Sequence, residues 1–493
     1  MKTLKKAMSV LVSLLMIFTF ALPAFADSAT TYTITAPATT HQYEIYQIFT
    51  GDLSEGILSN VKWGVNGTGT VGKAVDSTVI DELTAVNSRP DSEKLDVVKK
   101  YAKLDSTPVE TISNGATYSA VAGYYLIKDK DNTVSGADTY TTYIVKVVND
   151  VTITPKGNVP SFEKKVKDIN DTTDTDASAW QDSADYDIGD KVPFKLEGTV
   201  ASNYADYKTY YFAFHDKAEP GLSFNADSVK VYVDGNPITT GYNVVTSTTD
   251  GDTFDVVFDN LKDIADVKAN SKITVEYTAT LNDKEAVLGN QGNVNTAHLE
   301  FSNNPNEEQN GSNKPETGNT PDDSVIVFTY QVVVNKTKAN GEALTGAEFT
   351  LEKVLKNGTK ETVTVVKNTE GTIFTFKGLD DGDYILTETV TPATYNTIEP
   401  IRFTVTADHN IAWNGEARTE ILTALTGNVT SGTATFTADL DKRSLTTNVI
   451  NQSGATLPGT GGIGTTIFYV IGGLLMAAAA VLLITKKRMN SDK

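Results

Sequence analysis

The chain has 493 residues, no cysteine, 62 acidic against 42 basic side chains, a formal net charge of −20 and 40% hydrophobic residues. A single core rarely grows past about 250–300 residues, so this length implies several domains. The lack of cysteine excludes disulfides, thiolate metal centres and a cysteine nucleophile, and the acidity excludes charge-driven binding of nucleic acid or of an anionic membrane.

Residues 1–26 carry Lys2, Lys5 and Lys6, an apolar run from Ala7 to Phe20, and Ala24-Phe25-Ala26. That order is a secretory signal peptide with cleavage expected before Asp27. From 27 to 456 the text is rich in Thr, Val, Tyr and Ile with period-2 alternation, which predicts a mainly β fold. Helical text is confined mainly to Val79–Val86 and Glu93–Ala102. Two stretches dense in turn residues, Pro155–Pro160 and Asn303–Asp323, punctuate the chain. They divide it into an N-terminal domain (27–158), a middle domain (159–310), a linker (311–324) and a C-terminal domain (325–455). Pro315-Glu316-Thr317-Gly318 falls in the linker.

The first domain closes on Asp150-Val151-Thr152-Ile153-Thr154-Pro155-Lys156, which leaves Lys156 on a proline-bounded connector. The middle domain opens with Phe162, Lys164 and Val166 on one strand face. A lysine between two inward apolar residues needs a partner. The chain ends with Leu457-Pro458-Gly459-Thr460-Gly461, then 23 uncharged residues from Ile463 to Thr485, then Lys486, Lys487 and Arg488. The apolar run is long enough to cross roughly 30 Å of hydrocarbon, and the basic cluster stops the tail in the cytoplasm.

The order of motif, span and basic tail over 457–493 resembles the LPXTG sorting signal of Gram-positive surface proteins. That resemblance implies a sortase whose cysteine attacks the Thr460 carbonyl, releases Gly461 onward and holds an acyl-enzyme until an amine resolves it. In the C-terminal domain, Val332–Lys338, Leu344–Leu351 and Tyr384-x-Leu386-x-Glu388-Thr389 resemble the B-type collagen-adhesin domain and its E-box. In the middle domain, Phe162–Val166, Gly189–Phe194, Tyr210–Asp216 and Gly292–Pro305 resemble the A-type isopeptide domain of fimbrial backbone proteins. The segment ending at Lys156 resembles a pilin motif, with Thr154 in place of its tyrosine and without its upstream tryptophan. Together the chain resembles an LPXTG-anchored backbone pilin built from tandem immunoglobulin-like β-sandwiches.

The resemblance implies an intramolecular lysine–asparagine amide in each of the last two domains. By motif matching these are Lys164, Asp216 and Asn295, with Lys165 and Asn293 as alternates, and Lys336, Glu388 and Asn451, with Asn448 as the rival. The chemistry suits the residue types. Burial lowers a lysine's pKa and frees its amine as a nucleophile, and it raises that of an acid, which then polarises the amide carbonyl and shuttles protons. The resemblance further implies that Lys156 of one subunit attacks the acyl group at Thr460 of the next, producing a head-to-tail fibre. Expected partners are a pilin-class sortase, identical subunits, tip and base pilins, peptidoglycan and a host surface ligand; no cofactor and no metal are expected. The four histidines lack ligand spacing, and the acidic run Asp168–Asp176 reads as a solvated loop rather than a calcium site. Catalysis on external substrates is not expected. The competing expectation is a monomeric wall-anchored adhesin that binds host matrix or glycan.

Overall fold

The computed structural model describes residues 30–489 apart from 55–56, 87, 90, 155–157, 174–178, 247, 306, 308–313, 414–416, 441–443 and 455–462. The signal peptide, Lys156 and the sorting motif Leu457–Gly461 lie outside the described residues.

In the N-terminal region a sheet ordered Ile57–Trp63, Gln42–Ser54, Gly123–Asp129, Thr142–Val147 faces two clusters of apolar side chains. The strand Gly123–Asp129 is buried at every position. The reason is that Tyr124 and Leu126 pack with Val79, Ile80 and Leu83 of the helix Ser77–Ala85, whereas Tyr125 and Ile127 pack with Ile34 and Ala120 on the other face. A strand covered on both faces loses its alternation. The second helix spans Asp91–Lys100, so both helical segments lie where the sequence pattern predicted them.

The middle region is a sandwich. One sheet runs Asn236–Ile238, Leu222–Val233, Lys272–Leu281, Lys191–Thr199, Phe162–Val166; the other includes Ser183–Asp185, Asp323–Phe328, Asn293–Ser302, Phe212–Ala218 and Phe254–Phe258. Period-2 burial along Lys191–Thr199 and Lys272–Leu281 sends Val192, Phe194, Leu196, Ile273, Val275 and Tyr277 inward, where they meet Phe212, Phe214, Leu299 and Phe301. The segment expected to be a linker is partly built into this sandwich. Thr317–Asn319 pairs with Asn293–Ser302, and Asp323–Phe328 lies between that strand and Ser183–Asp185.

The C-terminal region repeats the plan with two five-stranded sheets. Its first strand, Tyr330–Lys338, and its last, Ser444–Asn451, are parallel neighbours, with Lys336 opposite Val449 and Lys338 opposite Asn451. A 27-residue helix, Ile463–Met489, follows, and its apolar side chains, Phe468, Leu474 and Leu482 among them, are bare. Thr466–Arg488 is long and apolar enough to cross a membrane.

Candidate functional site

In the middle sandwich Lys164 projects inward from the strand Phe162–Val166, which ends its sheet beside Lys191–Thr199, while its backbone N–H donates to Asp323 Oδ2 at 2.7 Å. Its side chain is completely buried. The ammonium lies 5.4 Å from the Phe194 ring centre and 5.5 Å from that of Tyr277, and it donates to Asp216 Oδ2 at 2.5 Å. Burial outweighs the attraction of Asp216 and lowers the lysine's pKa, which favours the free amine. Asp216 and Asn295 come from the opposite sheet and are equally buried. Among the described residues Asn295 Oδ1 has no hydrogen-bond partner, and an unpaired buried acceptor costs about 1–3 kcal/mol. This site brings Lys164, Asp216 and Asn295 together around one atom, the Tyr277 hydroxyl. That oxygen accepts from Lys164 Nζ and from Asn295 Nδ2, each at 2.9 Å, and donates to Asp216 Oδ2 at 2.5 Å.

The alternates are engaged elsewhere. Lys165 faces out and pairs with Asp182 and Glu163. Asn293 is buried, but its amide is saturated by Val287 and Val327 backbone groups.

The C-terminal site is wired differently. Lys336 is buried and donates to the Val449 carbonyl at 2.9 Å. Burial, opposed by the charge of Glu388, lowers its pKa to about 8. Asn451 Nδ2 donates directly to both Glu388 oxygens, at 2.9 and 3.0 Å, and Asn451 Oδ1 has no partner among the described residues. The Ile398 N–H fixes the same carboxylate at 3.2 Å. Asn448 points to the other face, exposed, and accepts from Asn335.

Two features escape the sequence pattern. Tyr277 reads there as one more inward aromatic. Lys353, in turn, is buried between the last two sandwiches in contact with Asp171, Asp187 and Asp380, and burial notwithstanding, these carboxylates raise its pKa. Beside it His409 Nδ1 meets Ser183 Oγ at 2.7 Å, and Nε2 lies 3.4 Å from Asp168. The described part of the run Asp168–Asp176 is therefore an interdomain contact, not a purely solvated loop. The reason is that a second sandwich supplies the counter-charges. Likewise the histidines are not bystanders. His215 stacks on His298 and bonds Asp255 and Glu300; burial disfavours its charge, but these bonds outweigh it and raise the pKa to about 10. Among the described residues three clusters have donor atoms close enough to share a cation: His215 with Asp250, Asp252 and Asp255; Asp168 with Asp185 and His409; and Asp171 with Asp187 and Asp380. The last already surrounds Lys353.

Tandem immunoglobulin-like sandwiches, a bare apolar helix and a match of the C-terminal segment to a cell wall anchor motif define a surface protein anchored at the cell wall after its precursor is inserted in the membrane. Residues 330–417 match the SpaA prealbumin-like fold domain, and residues 450–491 match the LPXTG cell wall anchor motif. The chain is similar to the trypsin-resistant surface T6 protein of Streptococcus pyogenes serotype M6, at 29% identity over 212 residues, or 39% of this chain and 36% of that protein. The alignment thus spans about a third of that relative's length. The solved T6 backbone pilin of the same serotype superposes with a TM-score of 0.54 at 18% identity, covering 88% of this chain and 100% of that one, which shows a shared fold. The full-length major pilin SpaD of Corynebacterium diphtheriae gives 0.47 at 16% identity, covering 87% of this chain and 100% of that one.

Proposed function

We propose that the chain is the repeating shaft subunit of a covalently polymerised surface pilus. The observation that carries this reading is that a cysteine-free chain buries two lysine–carboxyl–asparagine sets, one in each of two successive sandwiches. In each, Lys Nζ adds to the asparagine Cγ, the amide nitrogen leaves as ammonia, and Asp216 or Glu388 manages the protons. The products, Lys164–Asn295 and Lys336–Asn451, close loops of 131 and 115 residues. Lys336 and Asn451 sit on the strands by which the chain enters and leaves its sandwich. An amide there carries tension past the domain instead of through its hydrogen bonds, which is what a fibre under load requires.

Between subunits, a pilin-class sortase cleaves after Thr460 and transfers it to Lys156 of the next copy. The contact is heterologous and does not close, so it grows as a filament. Tip and base pilins, peptidoglycan at the fibre's foot and a host surface ligand complete the set of partners.

The test is a cell-wall extract on a denaturing gel. A high-mass ladder is expected, and Lys156→Ala collapses it to one band. A ladder that persists in the variant removes Lys156 from the linkage, and a single band in the native strain returns the chain to a monomeric adhesin.

A further inference from the structure

The middle site differs from a simple lysine–carboxyl–asparagine set in one respect. Asn295 Nδ2 is held by the Tyr277 hydroxyl, and that same oxygen holds Lys164 Nζ. Amide formation removes a proton from the attacking nitrogen and needs one on the departing nitrogen. Tyr277 O is 2.9 Å from both and donates its hydrogen to Asp216. We propose that Tyr277 is a catalytic proton relay for the Lys164–Asn295 cross-link, an assignment that rests on the isopeptide reading above.

The step balances without a co-reactant. Lys164 Nζ, as the free amine, bonds to Asn295 Cγ, and the excess proton on Nζ passes to the Tyr277 oxygen. Tyr277 gives a hydrogen to Nδ2, the Cγ–Nδ2 bond breaks, and ammonia leaves. Tyr277 and Asp216 end as they began. Burial, with the charge of Asp216, pushes the phenol far up, so Tyr277 enters with its proton. The ring is fixed for the task by Phe194, stacked at 5.4 Å, and Phe254, edge-on at 4.8 Å. A hydroxyl held in this way costs little reorganisation.

Tyr277→Phe keeps the ring and deletes the oxygen. In the full chain, purified in detergent at intervals after a pulse of synthesis, trypsin digestion and mass spectrometry give the ratio of linked to unlinked 164/295 peptides. The relay predicts linking slowed at least about 100-fold, with the Lys336–Asn451 link unchanged as internal reference. Linking at the native rate overturns the relay. If native chains contain no 164–295 linked peptide, the parent reading fails instead, so the two failures are distinguishable. Should the phenylalanine variant not fold, 3,5-difluorotyrosine at 277 keeps the hydroxyl and makes it more acidic. A relay then changes the linking rate, whereas an unchanged rate shows a merely structural bridge and overturns the proposal.

Discussion

The middle and C-terminal sites contain the same three residue types in two spatial arrangements. Lys164 and Asn295 stand on facing sheets, with Asp216 and Tyr277 between them, so their amide is a rivet through the sandwich. Lys336 and Asn451 stand on adjacent parallel strands of one sheet, with Glu388 reaching over from the other, so theirs is a seam along a sheet already joined by eight paired positions. The loops closed are nearly equal. What differs is what remains when the bond is removed: two sheets held by packing and a few side-chain hydrogen bonds, or a strand pair with a continuous backbone ladder.

The largest expected effect follows from that difference. Lys164→Ala removes a large-loop cross-link, about 4–5 kcal/mol in the chain-entropy model. At about 2–4 °C per kcal/mol for a domain of this size, calorimetry should show the middle transition lower by about 10–20 °C. Lys336→Ala should cost less, by about 1–3 kcal/mol, because Glu388 keeps the Asn451 amide and the Ile398 N–H. Equal losses would mean that rivet and seam are mechanically alike and that loop closure is the whole effect.

Next in size is the joint between the two sandwiches. Lys353→Met leaves Asp171, Asp187 and Asp380 facing one another without the lysine between them, at about 3–5 kcal/mol for a broken buried pair. Both domains contribute carboxylates, so the variant should bend at the joint. Small-angle scattering is expected to show a broader distribution of end-to-end lengths. An unchanged length distribution with unchanged melting would show that the other hydrogen bonds across the joint, such as Ile188 N–H to the Gly378 carbonyl at 3.1 Å and Asp380 N–H to Asp187 Oδ1 at 3.0 Å, hold the angle without the lysine.

The pH dependence of linking separates the sites by a smaller factor. Lys336 has a pKa of about 8, so below that value the free amine, and with it the linking rate at 336–451, should fall about tenfold per pH unit. Lys164 touches Asp216 and Tyr277 and can pass its proton within the cluster, so linking at 164–295 should be flatter with pH. The stability sign is also fixed. A depressed lysine pKa means that the folded state binds the proton less firmly than the unfolded chain. A bond-deficient Asn451→Ala chain should therefore gain stability as pH rises from about 8 toward the ordinary lysine range. A flat or falling curve would remove Lys336 from a desolvated site.

How much of this was legible depends on whether the cue was local. Alternation along Phe162–Val166 separates inward Lys164 from outward Lys165, because a strand's period admits only one of two neighbours to the core. The sandwich class was equally open, since Thr–Val–Tyr–Ile alternation on many short strands has few other solutions. Tyr277 was not. Its strand sends Ile273, Val275, Tyr277, Ala279 and Leu281 inward, and nothing in that series distinguishes a hydroxyl that finds partners from one that does not. The Lys353 joint was hidden for a different reason. Asp187 is 166 residues away and belongs to another domain, and period and propensity do not report on docking between domains.

The smallest prediction bears on the C-terminal assignment itself. Asn448 and Asn451 are three residues apart on one strand, so a period of two places them on opposite faces. Asn448 is solvent-exposed, opposite Asn335 in the parallel ladder, and accepts its amide at 3.1 Å, whereas Asn451 is buried against Glu388. Asn448→Ala should leave the 336–451 linked peptide intact and change stability by no more than about 0.5 kcal/mol, as exposed substitutions do. Asn451→Ala should abolish the link and restore about 17 Da, the ammonia that is no longer lost. If instead Asn448→Ala restores that mass, the final strand must shift register by one residue when the bond forms. That shift would turn Asn451 outward and break the match of Lys336 with Val449 on which the seam depends.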